Sequence, residues 1–416
     1  MRVLPYHLPL VAERGEGPLV WDADGNEYID LNMAYGPLIF GHRPKPIIEA
    51  VIRQIAERGS QLGFPTEVSA RAAEKLKRFY PGIDLVRFCN SGTEAMMFAA
   101  RLARTVTRRK KIIVFEGNYH GWSDALFHQY HAPIEQLGHD GFAPALPGTL
   151  GMDGAPHDLI VLRFNDLEML ERCLEKFDGS VAAVVMEPIM GNSGVLPPEP
   201  EFLEGARELT CEHDVLLVFD EVITGLRVAA GGAQELYGLT PDITIVSKAL
   251  GAGFPIAACG APREFMEFVA QGKLFHGGVY AGNALVTAAA EAVLDQIIAD
   301  PDGIYQHLHA VGNELAHGLR EIMTRLRIPH IVQHVGPMIS LFLTTTEVEK
   351  FKDYRTVRQY CDFEKYIRFQ HELQRLGVYF HPNQFEPMFL STAHTEEHID
   401  KVLERIEAGA KRCLIP

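Results

Sequence analysis

A chain of 416 residues, 47% apolar and 22% charged, has the make-up of a globular protein with room for a large core and a smaller unit beside it, and dominant disorder is excluded. Its formal net charge of -15, with Arg108-Arg109-Lys110-Lys111 as the longest basic run, sets up a field that repels nucleic acid and anionic lipid, so a small-molecule substrate is expected. Unpaired spacing of the six cysteines, no apolar run near roughly 18 residues and no secretory leader pattern predict reduced thiols, no zinc, no membrane span and a cytoplasmic location.

Residues 1–40 carry strands and turns around Trp21-Asp22-Ala23-Asp24-Gly25, a reverse-turn signal. Ile47, Ile48, Val51, Ile52 and Ile55 share one helical face, and Ala95, Met96, Phe98, Ala99 and Leu102 repeat the pattern after Thr93. Continuous apolar runs at 111–115, 159–164, 181–187, 215–220 and 243–246 predict strands covered on both faces. Their alternation with helices predicts an α/β fold built on a parallel sheet. The stretch 125–157 is irregular and rich in Gly, Pro and His, so it is expected to cover a site. Its His128, His131, His139 and His157 read as polar loop residues, and no metal is expected because no Cys or carboxylate spacing accompanies them. Residues 302–416 mix long helices with the strand-like run 338–343. The expected division is 45–295 as a large domain and 1–44 with 296–416 as a smaller one.

Asp220 ends an apolar run at the edge where open α/β sheets place their ligands. Lys248 follows the next run among Ser247, Ala249 and Gly251, and a desolvated amine loses its proton and becomes nucleophilic towards an aldehyde. Each residue alone has an ordinary reading, as a turn acid and a solvent-facing lysine; the pair points to an imine-forming site. Cys89-Asn90-Ser91-Gly92-Thr93-Glu94-Ala95 opens a helix, whose free N–H groups attract phosphate, although Ser91 or Thr93 also reads as a plain cap. Gly117-Asn118-Tyr119-His120-Gly121 offers either an aromatic face for a planar ring or a simple buried turn. After Glu187-Pro188, Asn192 has an amide that could reach a phenolic oxygen or merely make a turn.

Together with Glu116, Asp220-Glu221-Val222-Ile223-Thr224-Gly225 and Gly231-Gly232-Ala233-Gln234-Glu235, these segments resemble the class III aminotransferases in order and spacing. Within that class the chain is most similar to the glutamate-1-semialdehyde 2,1-aminomutases, from Trp21-Asp22-Ala23-Asp24-Gly25 through Gln384-Phe385-Glu386 to Ala393-His394-Thr395-Glu396-Glu397. The resemblance implies fold type I, a mixed, mostly parallel sheet in a large domain beside a smaller α+β domain, and a homodimer with a shared site. It implies pyridoxal 5'-phosphate and transfer of an amino group between a small amino-acid or amine donor and an oxo-acid or semialdehyde acceptor; an intramolecular aminomutase is the alternative. By the same resemblance Lys248 forms the Schiff base, Asp220 meets the ring nitrogen and Asn192 meets the phenolic oxygen. Tyr119 and Val222 sandwich the ring, Ser91, Gly92 and Thr93 hold the phosphate, and His120 and Glu187 complete the cofactor shell.

Two departures bear on cofactor and substrate. The family's phosphate-binding Thr, given by the neighbouring subunit, falls on Val279 in Gly278-Val279-Tyr280-Ala281-Gly282-Asn283, which has no hydroxyl to donate. The Asn-Ser-Pro motif before the aminomutases' carboxylate-binding Arg is absent, which leaves Arg2, in an Arg2-Val3-Leu4 stretch similar to β-amino-acid aminotransferases, and Glu386 as the substrate-binding candidates.

Overall fold

The computed structural model describes residues 5–138, 141–152 and 158–415; Arg2, His139 and His157 lie outside them. Seven strands form the largest sheet, in the spatial order Leu85–Cys89, Ala257–Ala261, Ile243–Val246, Leu216–Glu221, Val181–Met186, Lys111–Phe115, Leu159–Leu162. Pairs from Ile243–Val246 onward are parallel. Ala257–Ala261 runs antiparallel to both of its neighbours, so the sheet is mixed and mostly parallel, as fold type I requires.

All five apolar runs read from the sequence are strands here, with ends moved by a residue or two. Val181–Met186 and Ile243–Val246 are buried at every position, which is why they lack alternation: helices cover both sheet faces. Leu85–Cys89 and Ala257–Ala261 were not anticipated. The first, Leu-Val-Arg-Phe-Cys, is a short apolar run broken by Arg87 at its centre, and the second, Ala-Ala-Cys-Gly-Ala, has no β-branched or aromatic residue and so no local strand preference. Packing selects them: a Cβ on Gly260 would sit 2.2 Å from Ile83.

Helix Gly92–Thr107 buries Ala95, Met96, Phe98, Ala99 and Leu102, as its spacing predicts. In helix Lys45–Arg58, however, only Ile47, Val51 and Gln54 are buried, while Ile52 and Ile55 are 59% and 52% exposed. The apolar stripe is wider than the strip this helix lays on helix Ala284–Ala299, so its flank stays outside.

Two further sheets join distant parts of the chain. Ala12–Glu16, Leu19–Asp22 and Glu27–Asp30 form a meander whose last strand pairs in parallel with Val378–Tyr379. The turn at 22–26 closes on Asp22, which accepts from the Asn26 backbone N–H at 2.8 Å and from the Tyr28 hydroxyl at 2.7 Å. His330–Val335, Met338–Leu343 and Met388–Phe389 make the third sheet. Ile29 and Leu31 share a core with Leu315 of helix Pro301–Arg325 and Ile399 of helix Glu396–Cys413. No described helix is long and apolar enough to cross a membrane.

The irregular stretch expected to cover a site does reach the cavity, through Tyr130, but its described histidines are not the polar loop residues expected. His128 is buried and His131 half-buried, because Tyr354, Phe385 and Arg355 arrive from far along the chain to pack on it. Arg355 pairs with Glu116 through two hydrogen bonds of 2.8 and 2.6 Å and donates also to the carbonyls of Leu137 and Gly138.

One glycine in this framework has no substitute. Gly194 adopts φ 79°, and a Cβ there would lie 2.1 Å from the ring of fully buried Phe342. A left-handed conformation costs a residue with a side chain about 1–2 kcal/mol and overpacking about 1–3 kcal/mol. Gly194→Ala should therefore destabilise the fold by about 2–5 kcal/mol, read as a lower thermal midpoint; an unchanged midpoint would contradict this packing.

Candidate active site

Four turns at the carboxyl edge of the parallel strands deliver their side chains to one place, as expected for an open α/β sheet. Asp220 lies within strand Leu216–Glu221, Lys248 follows Ile243–Val246, Tyr119 follows Lys111–Phe115, and Glu187 and Asn192 follow Val181–Met186. They line a cavity of about 200 Å³ together with Val222, Ile223, Tyr35, Tyr130 and Glu386.

Asp220 is buried, and its two oxygens are separately engaged. Oδ2 accepts from His120 Nδ1 at 2.8 Å and Oδ1 from the Val222 backbone N–H at 3.1 Å. His120 thus stands behind the carboxylate and orients it. Glu187 accepts from the backbone N–H groups of Tyr119 and Gly191, each at 2.8 Å, and from the Asn192 amide at 3.1 Å. It ties two loops together and turns the Asn192 amide; burial and neighbouring Asp220 raise its carboxyl above the ordinary range.

Lys248 stands in a left-handed conformation, φ 42°, at the start of the short turn Lys248–Gly251, which Ser247 anchors by donating to the Ile256 carbonyl at 2.8 Å. A non-glycine residue held there signals a position over-determined by its surroundings. Burial pulls the amine below the usual lysine range, against the opposing pull of Glu386, Glu187 and Asp220. Burial also pushes the Glu386 carboxyl up to about 7, with Lys248 working the other way.

Ser91, Gly92 and Thr93 adjoin this cavity at the start of a long helix. The Ser91 hydroxyl oxygen caps the helix, accepting from the Glu94 N–H at 3.2 Å, which leaves its proton free to donate. Close approach fixes the glycines here: a Cβ on Gly92 would lie 3.1 Å from Val222, and one on Gly121, φ 83°, 2.6 Å from the Thr93 hydroxyl. The start of this helix, with its unpaired N–H groups, therefore lies against the Val222 and Gly121 turns, a candidate cradle for an anion.

Val279 is not in this chain's own cavity. It is 78% exposed, in a separate surface depression with Phe64, Arg87 and His276. Two cavity residues have no reading in the sequence, Tyr35 and Tyr130, and Ile223 stands there only as a member of the Asp220–Gly225 motif. Tyr35 ends a run of left-handed residues, Met33, Ala34 and Tyr35 with φ of 45°, 55° and 66°, which no local pattern announces. Asp30, which accepts from the N–H groups of Asn32 and Met33, and the buried Arg227, which donates to the Gly36 and Leu390 carbonyls, hold that turn.

The chain has many relatives. The profile of the aminotransferase class-III family matches residues 3–409. A glutamate-1-semialdehyde 2,1-aminomutase 2 from Brevibacillus brevis is 43% identical over 97% of this chain and 91% of its own length. Among solved structures, an omega-transaminase from Sphaerobacter thermophilus superimposes with a TM-score of 0.91 at 33% identity, covering 98% of this chain and 92% of that one. A glutamate-1-semialdehyde-aminomutase from Pseudomonas aeruginosa in complex with PMP does so with a TM-score of 0.85 at 28% identity, over 97% and 88%. A fold, a set of sheet-edge residues and a full-length family match agree: the chain belongs to the class-III aminotransferases.

Proposed function

We propose that the protein is a pyridoxal-phosphate-dependent aminotransferase that moves an amino group from a small amino-acid or amine donor to an oxo-acid or semialdehyde acceptor. The observation that carries this reading is the convergence of Lys248, Asp220, Asn192 and Tyr119 on one cavity beside a helix N-terminus. The residues fit the cofactor: an amine for its aldehyde, a carboxylate for its ring nitrogen, an amide for its phenolic oxygen, a ring for its face and N–H groups for its phosphate. When bound, pyridoxal phosphate supplies an aldehyde that exchanges with amines and a protonated ring that withdraws electrons from the substrate.

The chain's own residues do the rest. Asp220, oriented by His120 and Val222, would keep the ring nitrogen protonated. Lys248 is the covalent anchor, and its lowered proton affinity leaves more of the amine uncharged and nucleophilic. As a free amine, Nζ would be able to carry a proton within the cavity that it lines. Val222 and Tyr119 would pack on the ring and exclude water, Asn192 would donate to its phenolic oxygen, and the Ser91–Thr93 turn, where the helix dipole begins, would hold the phosphate.

A homodimer completes the site in this reading. Phe64, Phe275, Val279 and Tyr280 are 67–80% exposed on one part of the surface, an apolar patch that a second copy of the chain would cover, bringing Val279 to the partner's phosphate. An intramolecular aminomutase is the second reading, favoured by Glu386 in the cavity and by the aminomutase names of the relatives. The two differ in whether the doubly aminated intermediate leaves before its second amine is returned, which depends on closure and not on Lys248.

Incubating the pyridoxamine form with single oxo acids and amino-aldehydes tests the reading. Acceptors should restore the absorbance of the lysine-bound cofactor with release of the new amine, whereas return only with an isomerised substrate would select the aminomutase. Lys248→Ala should still bind the cofactor yet lose multiple turnover, and sustained steady-state turnover would refute its role. Glu386→Gln should lower the pH midpoint at which the apoenzyme's Lys248 captures pyridoxal. An ionised Glu386 favours the protonated amine, so its removal lowers the lysine's proton affinity further; a midpoint that rises or stays would overturn the coupling. Val279→Thr restores a hydroxyl worth about 1.5–3 kcal/mol to a charged phosphate and should tighten cofactor binding roughly ten- to a hundredfold. Dialysis and retitration measure this, and weaker binding would show that residue 279 does not approach the phosphate.

A further inference from the structure

One wall of the cavity comes from the segment that no motif covers. Tyr130 lines the cavity with its ring 5.1 Å from that of Tyr119 and 5.4 Å from that of Phe127. Behind it the His131 imidazole stacks on the Tyr130 ring at 3.9 Å and 21°, and on Phe385 at 4.3 Å and 25°. Its Nε2 lies 2.9 Å from the backbone carbonyl oxygen of Asn192. Burial pushes this imidazole down to about 4, so at neutral pH the ring is uncharged and Nε2–H donates to that carbonyl.

The same three loops are cross-tied around the imidazole. Gly194 N–H donates to the Phe385 carbonyl at 2.7 Å, and the Ser193 hydroxyl donates to the Gly117 carbonyl at 2.9 Å. Each loop carries residues of the cavity: Tyr119 and Tyr130, Asn192, and Glu386 next to Phe385. His131 also occupies a left-handed conformation, φ 52°, two residues after Gln129 at 58°. A side chain kept where glycine is easier is kept for its contacts, and those contacts aim Tyr130.

We propose that Tyr130, held by the positioning residue His131, sets the size of the amino acceptor, admitting short unbranched carbonyl compounds and excluding aryl and branched ones. This rests on the aminotransferase reading above. A cavity of about 200 Å³ is small beside the roughly 300–1,000 Å³ usual for ligand pockets, and a pyridoxal ring must share it. The rings of Tyr35 and Tyr130 and the Glu386 carboxyl line the same small space, so two aromatic walls and one acid bound the room an acceptor has beside the cofactor.

The test uses the holoenzyme and two probes that capture the cofactor aldehyde without turnover, methoxyamine and the bulky O-benzylhydroxylamine. In each capture the probe nitrogen bonds to the aldehyde carbon, the bond to Lys248 Nζ breaks, and the lysine leaves as a free amine. Wild type should favour methoxyamine, and Tyr130→Ala should cut that preference by roughly tenfold or more, the scale on which pocket shape discriminates. His131→Gly leaves a backbone that glycine adopts freely, so it removes the ring without straining the turn. It should cut the preference in the same direction by speeding the benzyl probe, and adding it to Tyr130→Ala should change nothing further.

An unchanged preference in Tyr130→Ala overturns the proposal. So does His131→Gly slowing both probes equally or an additive double variant, because either marks a merely structural histidine. Failure of wild type to react with either probe overturns instead the cofactor reading on which the proposal stands.

Discussion

Carboxylates crowd the carboxyl edge of the central sheet, and the surrounding structure is arranged to keep them there. Glu116, Glu187, Asp220 and Glu221 are all buried, and a carboxylate taken out of water is tolerated only when hydrogen bonds replace its hydration. Glu116 has the Arg355 guanidinium. Glu221 accepts from the N–H groups of Ala233 and Gln234 and from the Thr224 hydroxyl, yet burial still pushes it up to about 6. Glu187 takes backbone N–H groups and the Asn192 amide, and Asp220 takes His120 and the Val222 N–H. Loop geometry at the site follows from these bonds, since each loop must offer its donors to a fixed acid.

That acidic surrounding also governs the lysine. Lys248 faces desolvation, which favours its neutral form, and Glu386, Glu187 and Asp220, which favour its cation. In the role proposed for Lys248, as anchor and proton carrier, burial that favours the neutral amine serves the first and the nearby carboxylates serve the second. Glu386 takes part from the other side: burial pushes its carboxyl up to about 7, and Lys248 works against that shift.

A second theme is the use of left-handed backbone at residues that have side chains. Met33, Ala34, Tyr35, Lys248 and His131 all adopt it, and three of them line the cavity or support its wall. Such conformations persist where the fold over-determines them. Arg227, buried without an ion-pair partner among the described residues, is one of the determinants, because it binds the carbonyl that closes the Tyr35 turn and one from Leu390. The aminotransferase and aminomutase readings share all of this machinery. They part over the loops that enclose the substrate, among which His131 joins three.

Much of the protein was legible in its residues. Five continuous apolar runs announced the parallel strands, because strands buried on both faces have no polar side to interrupt them. Tyr119, Asp220 and Lys248, singled out because each stands where a strand ends and a turn begins, do meet at one cavity, the candidate site. The strand around Gly260 stayed hidden because contacts from elsewhere override its weak local preference, and the one around Arg87 because a charge breaks its short apolar run. The apolar flank of Ile52 and Ile55 misled for the complementary reason: periodicity reports which face is greasy, and only a partner decides how much of it is covered. Tyr35, Tyr130 and the stack of His131 on Phe385 could not be read at all, because nothing in residues 119–131 says that residue 385 will lie against them. Local chemistry determined what the cavity can react with, and tertiary contact between segments more than two hundred residues apart decided its walls.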